Sequence, residues 1–427
     1  MKLLQFVETF GSLIAFGCVL LYLYQGGYLA LGLLLPRRGA AAGPVKLGRY
    51  AVLISARNEA GVIGELIASL KGQSYPAELL DIYVVADNCT DSTAAVAQAA
   101  GATVCRRYDR QRVGKGYALD FLLKRIWAEG KAGRYDGYFV FDADNIVDPN
   151  FVYEMNRTFQ SGDWAALTGY RNSKNFGQNW ITAGYSIWFL REARFLNGPR
   201  MALGTNCHVS GTGFLVSGRV LLEQGGWPYH LLTEDLEFSA QCTARGLRIG
   251  YCPGAVIYDE QPANFLQAWD QRLRWSKGFY QVDGKYAPSL IKGVFRGGRR
   301  GWGCYDLLMT ITPGVLLSLV GGAFQLVVLL CCLLSDDFQA KAVLLTAGDF
   351  LWNAFASFYL GMLFYGAVVV LSEWGNIRAA AWQKLIYLPL FPIFMLTYIP
   401  ISIQALFQKV EWKPIRHSSL SQLDQAA

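Results

Sequence analysis

Several features that commonly announce a function are missing from this chain. Its nine cysteines are scattered and form no C-x-x-C pair, so reduced thiols are the expectation. No zinc-finger spacing and no RNA-binding motif occurs, and the net charge of +7 is modest, so nucleic acid is not an expected partner. The stretch "RVGKGYAL" sets Lys115 between Gly114 and Gly116 but lacks the glycine spacing and the following Ser or Thr of a P-loop. Internal repeats and low-complexity tracts are absent. From Ser12 to Pro36 there is no formal charge at all.

That last absence has a positive meaning. The uncharged run exceeds the ~20 residues that a helix needs to cross a bilayer. Only Lys2 precedes it, so the basic head of a cleaved signal peptide is lacking. Arg37, Arg38, Lys46 and Arg49 follow, and the positive-inside rule puts the amino end outside and the next segment in the cytoplasm. Apolar residues make up 53% of the 427, concentrated in this run and after Cys304. Residues 307–334 and 351–371 read as two further spans, with the acidic "SDDF" between them. Residues 384–407 are apolar but broken by Pro389, Pro392 and Pro400. Four simple spans would leave the tail outside with its Lys409, Lys413 and Arg416. The prolines instead permit a re-entrant or interfacial last element with the tail inside, because irregular backbone at membrane depth lines a cavity. The expected division is an anchor at 1–36, a cytosolic domain at 45–260, interfacial helices at 261–302, a transmembrane region at 303–408 and a cytosolic tail at 409–427. The expected location is the cell membrane, crossed more than once.

From Tyr50 onward the pattern is strand, turn, helix, repeated. "YAVLISA", "DIYVVAD", "ATVCRR" and "YDGYFVFDAD" are short runs of β character. Helical spacing fills the intervals, as at Val62, Ile63, Leu66, Ile67 and Leu70. Alternating strands and helices predict βαβ units and a mostly parallel sheet in an α/β domain. Ligands bind such sheets at the carboxyl ends of strands, where Asp87, Asp142 and Asp144 fall.

Each chemically suggestive stretch has a plain reading beside a functional one. Asp142 and Asp144 in "VFDADN" can grip a hard divalent cation or form a solvated turn. Asp87 and Asn88 can meet a base or ribose, while Asp91, Ser92 or Thr93 can cap the next helix. Lys115 can neutralise phosphate or begin a helix. Glu234 and Asp235 in "LLTEDLEF", with Thr233 as a possible cap, can supply a general base or favour a helix dipole. "HVSGTGFLV" carries small residues, Gly211 to Gly213, suited to close approach of a ligand or to a tight turn. "QAWDQRLRWSKGFYQ" joins Arg272, Arg274 and Lys277 to Trp269, Trp275, Phe279 and Tyr280. Cations suit phosphates and rings suit sugars, but the same set describes a membrane-surface helix with aromatic anchors. Arg296, Arg299 and Arg300 in "FRGGRRGW" stand before an apolar run, where they can meet lipid headgroups.

Taken in order, "SARNEA", "VVADNCTD", "GKGYAL", "FDAD", "TEDLEF" and "QRLRW" resemble the family-2 glycosyltransferases. The resemblance covers about residues 50–281. It is nearest in kind to the membrane-embedded synthases of cellulose, chitin, hyaluronan and poly-N-acetylglucosamine, and extends to ceramide glucosyltransferases. One departure stands out: Ala86 replaces the first acid of the family's Asp-Asp pair, leaving Asp87 alone to serve the nucleotide.

The resemblance implies a GT-A, Rossmann-like fold with interfacial and transmembrane helices, and inverting transfer from a UDP-sugar, UDP-glucose or UDP-N-acetylglucosamine, to a glycan or lipid acceptor. It assigns the nucleotide sugar to Ala56, Glu59, Asp87, Lys115, Asp142, Gln271 and Arg274. Mg²⁺ or Mn²⁺ falls to Asp142 and Asp144, the acceptor to Trp275, Glu234 and Gly211, and the role of base to Asp235. The expected product is a growing β-linked polysaccharide or oligosaccharide. A single glycosylated lipid is the alternative enzyme reading, and an inactive sugar-binding or export scaffold is the alternative of another class.

Overall fold

A computed structural model describes residues 2–36, 45–312, 314–333 and 338–411. Arg37, Arg38, the "SDD" of residues 335–337 and the tail beyond residue 411, with Lys413 and Arg416, lie outside the described residues.

Eight strands form one sheet: β1 (Tyr50–Ala56), β2 (Leu80–Asp87), β3 (Thr103–Arg107), β4 (Gly137–Asp142), β5 (Ile146–Val147), β6 (Ala166–Ser173), β7 (Phe214–Ser217) and β8 (Ile249–Asp259), in the order β3-β2-β1-β4-β7-β6-β8-β5. β3, β2, β1 and β4 run parallel, as the βαβ pattern predicts. β7 then lies antiparallel to both β4 and β6, and the two-residue β5 is antiparallel to β8. The sheet is mixed but keeps a mostly parallel sense.

The strands read as continuous apolar runs because both faces are covered. Successive side chains point to opposite faces. Val52 and Ile54 of β1 therefore join Ile63, Leu66 and Leu70 of α3 (Ile63–Lys71) in one core. Ala51 and Leu53 join a second core, built with helices from later in the chain.

Before the sheet come α1 (Lys2–Tyr22) and α2 (Tyr24–Leu34); after α3 come α4 (Thr93–Ala99), α5 (Lys115–Ile126), α6 (Phe151–Phe159), α7 (Trp180–Arg191), α8 (Gly198–Leu203), α9 (Gly218–Gln224) and α10 (Glu234–Arg245). The last group is α11 (Phe265–Val294), α12 (Gly298–Ile311), α13 (Gly314–Leu333), α14 (Phe338–Ser372), α15 (Ala381–Tyr387), α16 (Phe391–Leu396) and α17 (Tyr398–Phe407). The second core contains Ala118 and Leu122 of α5, Tyr185 and Leu190 of α7, Val369 of α14 and Phe394 of α16. One apolar interior thus continues from the sheet into the C-terminal helices.

Among the described residues, three stretches are long and apolar enough to cross a membrane: Thr9–Leu34, Ala347–Ser372 and Ala381–Phe407. The expected run at 307–334 is divided. Its first residues belong to α12, and a shorter apolar helix, Val320–Leu330, lies within α13. The proline-bearing run divides into α15, a tight turn at Leu388–Leu390, α16 and α17; Pro389 and Pro392 fall at these divisions, whereas Pro400 lies inside α17 and does not break it.

A buried ion pair ties the amino-terminal helices to the rest. Arg200 of α8 meets Asp306 of α12 at 2.7 Å, and both side chains are almost wholly buried. The hydroxyls of Tyr24 and Tyr28 on α2 each donate to the Asp306 carboxylate at 3.0 Å. Trp302 Nε1 donates in turn to Tyr28 at 2.9 Å.

Candidate active site

Over the carboxyl ends of the strands lies a cavity of about 710 Å³. Every residue expected at the site lines it except Ala56. The Ala56 methyl belongs to the α3 core, because strand alternation turns it inward, and its neighbours Ser55 and Arg57 line the cavity instead.

At one end Glu59 follows β1 and Asp87 ends β2. Asp87 is 4% exposed and accepts a 2.6 Å bond from Arg107, its partner in the parallel register of β3. Burial raises its pKa, and Arg107 works against that rise. The loops here are stitched by two asparagines with left-handed backbones, Asn58 (φ 58°) and Asn88 (φ 52°). Asn58 accepts from the Thr90 backbone at 2.8 Å. Asn88 spends its amide on Asp109 and Asp87, accepting from Asp109 N at 2.9 Å and donating to Asp109 O at 3.0 Å. The reading of Asn88 as a base or ribose contact is therefore replaced by a structural one. Of the three candidate caps for α4, Asp91 serves: its carboxylate accepts from Thr93 N at 3.0 Å, while Ser92 makes no side-chain cap.

The centre is acidic. Lys115, the first residue of α5, contacts the Asp142 carboxylate and donates to Gly211 O at 2.6 Å. Burial works to lower the pKa of this lysine, but the Asp142, Glu234 and Asp235 carboxylates hold it above the usual lysine value. Asp142 ends β4, and its backbone N–H donates to Thr212 at 2.9 Å. Asp144 is buried and accepts from Glu260 N at 3.1 Å. Gly211 has φ +71°, a conformation that favours glycine, and its carbonyl is thereby aimed at Lys115.

Glu234 and Asp235 open α10, where the helix dipole favours acids. Burial and the charge of Asp235 push the Glu234 pKa up to about 7. Burial also raises Asp235, against the Leu236 backbone N–H, Lys115, the Gly211 backbone and Arg274. Thr233 makes no capping bond, contrary to expectation. It sits where α11 crosses at Gly278, and a Cβ on that glycine would come within 2.5 Å of the Thr233 methyl. This close crossing brings α11 over the start of α10.

α11 sorts its signature by face. Gln271, Arg274 and Trp275 line the cavity, and Arg274 donates to Leu232 O at 3.3 Å. The Trp275 indole meets Tyr185 and Phe189 of α7 edge-on, at 5.7 and 6.1 Å between centroids. Arg272 turns the other way. It is wholly buried, donates to Thr397 Oγ1 at 2.5 Å and Phe394 O at 3.3 Å, and lies 4.4 Å from the Phe394 ring. Lys277 donates to Ala405 O at 2.9 Å. Two of the three cations thus hold the proline-broken segment, and one faces the cavity.

Sequence reasoning missed Arg171, Asp259 and Glu192, which also line the cavity. Arg171 Nε donates to Asp259 at 2.7 Å, and its guanidinium lies 3.6 Å from the Phe189 ring centre. Glu192 accepts from Ser210 Oγ at 3.2 Å, and burial raises its pKa. The "VIYDE" at the end of β8, a strand closing on acids like β2 and β4, was the available signal for Asp259.

Among the described residues no three His, Cys, Asp or Glu side chains gather as a metal-holding group. Two carboxylates, Asp142 and Asp144, face one cavity. That donor set fits an ion such as Mg²⁺, which is commonly held by one or two carboxylates and completed by substrate phosphates and water.

The family described as "Glycosyltransferase like family 2" matches residues 48–278. A β-monoglucosyldiacylglycerol synthase of Synechocystis is 27% identical over 245 residues, 56% of this chain and 50% of that protein. A poly-β-1,6-N-acetyl-D-glucosamine synthase of Staphylococcus aureus is 26% identical over 242 residues, 54% of each chain. This chain spans about half the length of the curated relatives it matches. The solved mannosyltransferase PcManGT from Pyrobaculum calidifontis, in complex with GDP-Man and Mn²⁺, superposes with a TM-score of 0.56 at 17% identity, covering 95% of this chain and 99% of that one. The overall fold is shared with it.

Proposed function

Because the chain belongs to glycosyltransferase-like family 2, we propose that it moves a sugar from a UDP-sugar to a hydroxyl of an acceptor at the membrane, with inversion. The observation that supports this most is the single cavity joining Asp87, Lys115, Asp142 and Asp144 to Asp235, Arg274 and Trp275.

In this reading Asp87 and Glu59 hold the nucleoside, and Lys115, Gln271 and Arg274 meet the diphosphate. Asp142 is contacted by Lys115, so the lysine must yield part of that contact as the donor enters. Asp235 takes the proton from the acceptor hydroxyl. The freed oxygen attacks the anomeric carbon from the face opposite UDP. The bond from that carbon to the diphosphate oxygen breaks, and its electron pair leaves with UDP. Burial raises the pKa of Asp235 and so makes it a stronger base than an exposed aspartate, and Glu234 beside it is raised as well. Arg274 offers a planar fork to the charge growing on the leaving phosphate. Mg²⁺ or Mn²⁺ held by Asp142 and Asp144 would supply further positive charge there, and the mannosyltransferase of like fold was solved in complex with GDP-Man and Mn²⁺.

The acceptor we favour is a single lipid. The cavity is also lined by Met309, Phe358, Met362, Met395 and Ile399, apolar side chains suited to acyl chains. One relative is named for a glycosylated diacylglycerol. A polysaccharide acceptor is the second reading, supported by the proline-broken segment beside the cavity and by the relative named for a β-1,6-linked polymer. Residues 45–260 with the interfacial helices at 261–302 form the catalytic part, facing the cytoplasm, and residues 1–36 and 303–408 hold it in the cell membrane.

The test is a screen of UDP-sugars with the full chain in nanodiscs, scored by UDP release with and without EDTA, followed by extraction of labelled product. Metal-dependent release and a one-sugar lipid support the reading. Labelled polymer moves the acceptor to the second reading. If no donor is turned over, the scaffold alternative replaces transfer altogether.

A further inference from the structure

The arginines of "FRGGRRGW" take no part in the cavity described above. Arg299 and Arg300, in the first turn of α12, line a second cavity of about 400 Å³ that shares no lining residue with the first. Arg219 of α9 and Arg248, just before β8, complete four guanidiniums around it. Among the described residues lining it Asp163 is the one carboxylate, and it pairs with Arg219 at 2.6 Å. All four arginines are exposed, and three of them lie against neighbouring structure. Arg299 rests against Gly204 and Arg300 against Gly246, the left-handed residues that end α8 and α10, where helix dipoles favour positive charge. Arg248 lies 4.3 Å from the Trp164 ring centre. Guanidinium forks grouped in this way match the geometry of phosphate.

The depth of this cavity follows from the packing of α12 on α1 and α2. Trp302 bonds Tyr28, Tyr305 bonds Leu21 O, and Tyr22 bonds Met309 O, so α12 runs antiparallel to the amino-terminal helices. Arg299 and Arg300 stand three and two residues, ~3–5 Å along the axis, before Trp302. That places them level with the end of the Thr9–Leu34 apolar stretch, where a crossing helix leaves the hydrocarbon. Exposed apolar side chains surround this level: Leu34 is 83% exposed, Phe295 86% and Leu203 43%.

We infer that this second cavity binds the phosphate of an anionic lipid headgroup. The inference goes beyond sugar transfer and does not depend on it. The basic groups sit at headgroup height, and the flanking Leu34, Phe295 and Leu203 reach toward the acyl region.

The full chain in phosphatidylcholine nanodiscs doped with phosphatidylglycerol provides the test, with lipids retained by the released protein counted by native mass spectrometry. Wild type should keep phosphatidylglycerol in preference to phosphatidylcholine, and millimolar inorganic phosphate should not displace it. The double variant Arg299→Gln/Arg300→Gln should weaken retention by about fivefold per arginine removed. If the double variant does not fold, Arg300→Gln alone carries the same measurement. Equal retention in wild type and variant overturns the inference. So does displacement by inorganic phosphate, which would make this a site for a free anion.

Discussion

Arg272 and Arg274 stand two residues apart on α11 and do opposite work. Arg272 is buried, and its donors and aromatic contacts clamp α16 and the start of α17. Arg274 faces the cavity with Asp235 among its charged neighbours. Residue type does not separate them. Helical phase does, since ~100° per residue turns a two-residue step to the far side of the helix. One helix thus both lines the cavity and fixes the segment from α16 to α17.

Four experiments break or sharpen this contrast. The largest effect should come from the cavity side at Asp235. Asp235→Asn keeps shape and removes basicity, so turnover should fall on the order of 10³-fold while UDP affinity persists. Turnover near wild type would remove Asp235 from its role. Next comes the arginine pair itself. Arg274→Ala should lower transfer by about 10²-fold with little change in melting temperature. Arg272→Ala should instead lose on the order of 3 kcal/mol of stability, through lost packing and stranded acceptors, and lower the folded yield. If both variants lose activity at unchanged stability, the division of α11 into two faces fails.

The tryptophans repeat the contrast at smaller scale. Trp275→Ala should slow transfer by at most the ~10²-fold that a misplacement of about 1 Å can cost, and Trp275→Phe should do so more mildly. Trp269 donates to Gln404 of α17 at 2.8 Å and packs beside Leu273 and Ile401. Its replacement should loosen α17 and lower stability more than transfer. Equal loss of stability at both positions, with transfer per folded molecule unaltered, would make both tryptophans anchors.

The smallest effect concerns pH. Glu234, raised to about 7, holds its proton more tightly folded than unfolded, so its contribution to stability is full below about 4.5 and is lost as pH rises through about 7. In Glu234→Gln this part of the decline between about pH 5 and about pH 7 should vanish, read as a flatter plot of melting temperature. Parallel plots for variant and wild type would show that Glu234 is not buried beside Asp235 as described.

The parallel strands β1 to β4 and their terminal acids were legible because each is a short apolar run ended by turn residues. β7 was not, because its four residues, "FLVS", pair antiparallel with β4 and β6, strands contributed by distant parts of the sequence. The short motifs announced Lys115, Asp142, Asp144, Asp235 and Arg274. Arg171 sits in an otherwise ordinary strand and Glu192 at the start of a π-helical turn after α7, and only topology brings them to the cavity. Arg272 was grouped with Arg274 as a phosphate-seeking cation because no local pattern told which face of α11 would meet α16. Asn88 likewise bore the chemistry of a ligand contact, and only the neighbouring Asp109 loop showed where its amide goes.

The clasp of Tyr24 and Tyr28 on Asp306 bears on how this enzyme can be handled at the bench. Cutting away residues 1–36 to obtain a water-soluble fragment would strip two donors from a buried carboxylate and uncover the flank of α12 that the tyrosines and Trp302 share. The amino-terminal helices are packed into the rest of the fold through α12 and are not a detachable tether. Purification and assay therefore belong in detergent or nanodiscs from the outset.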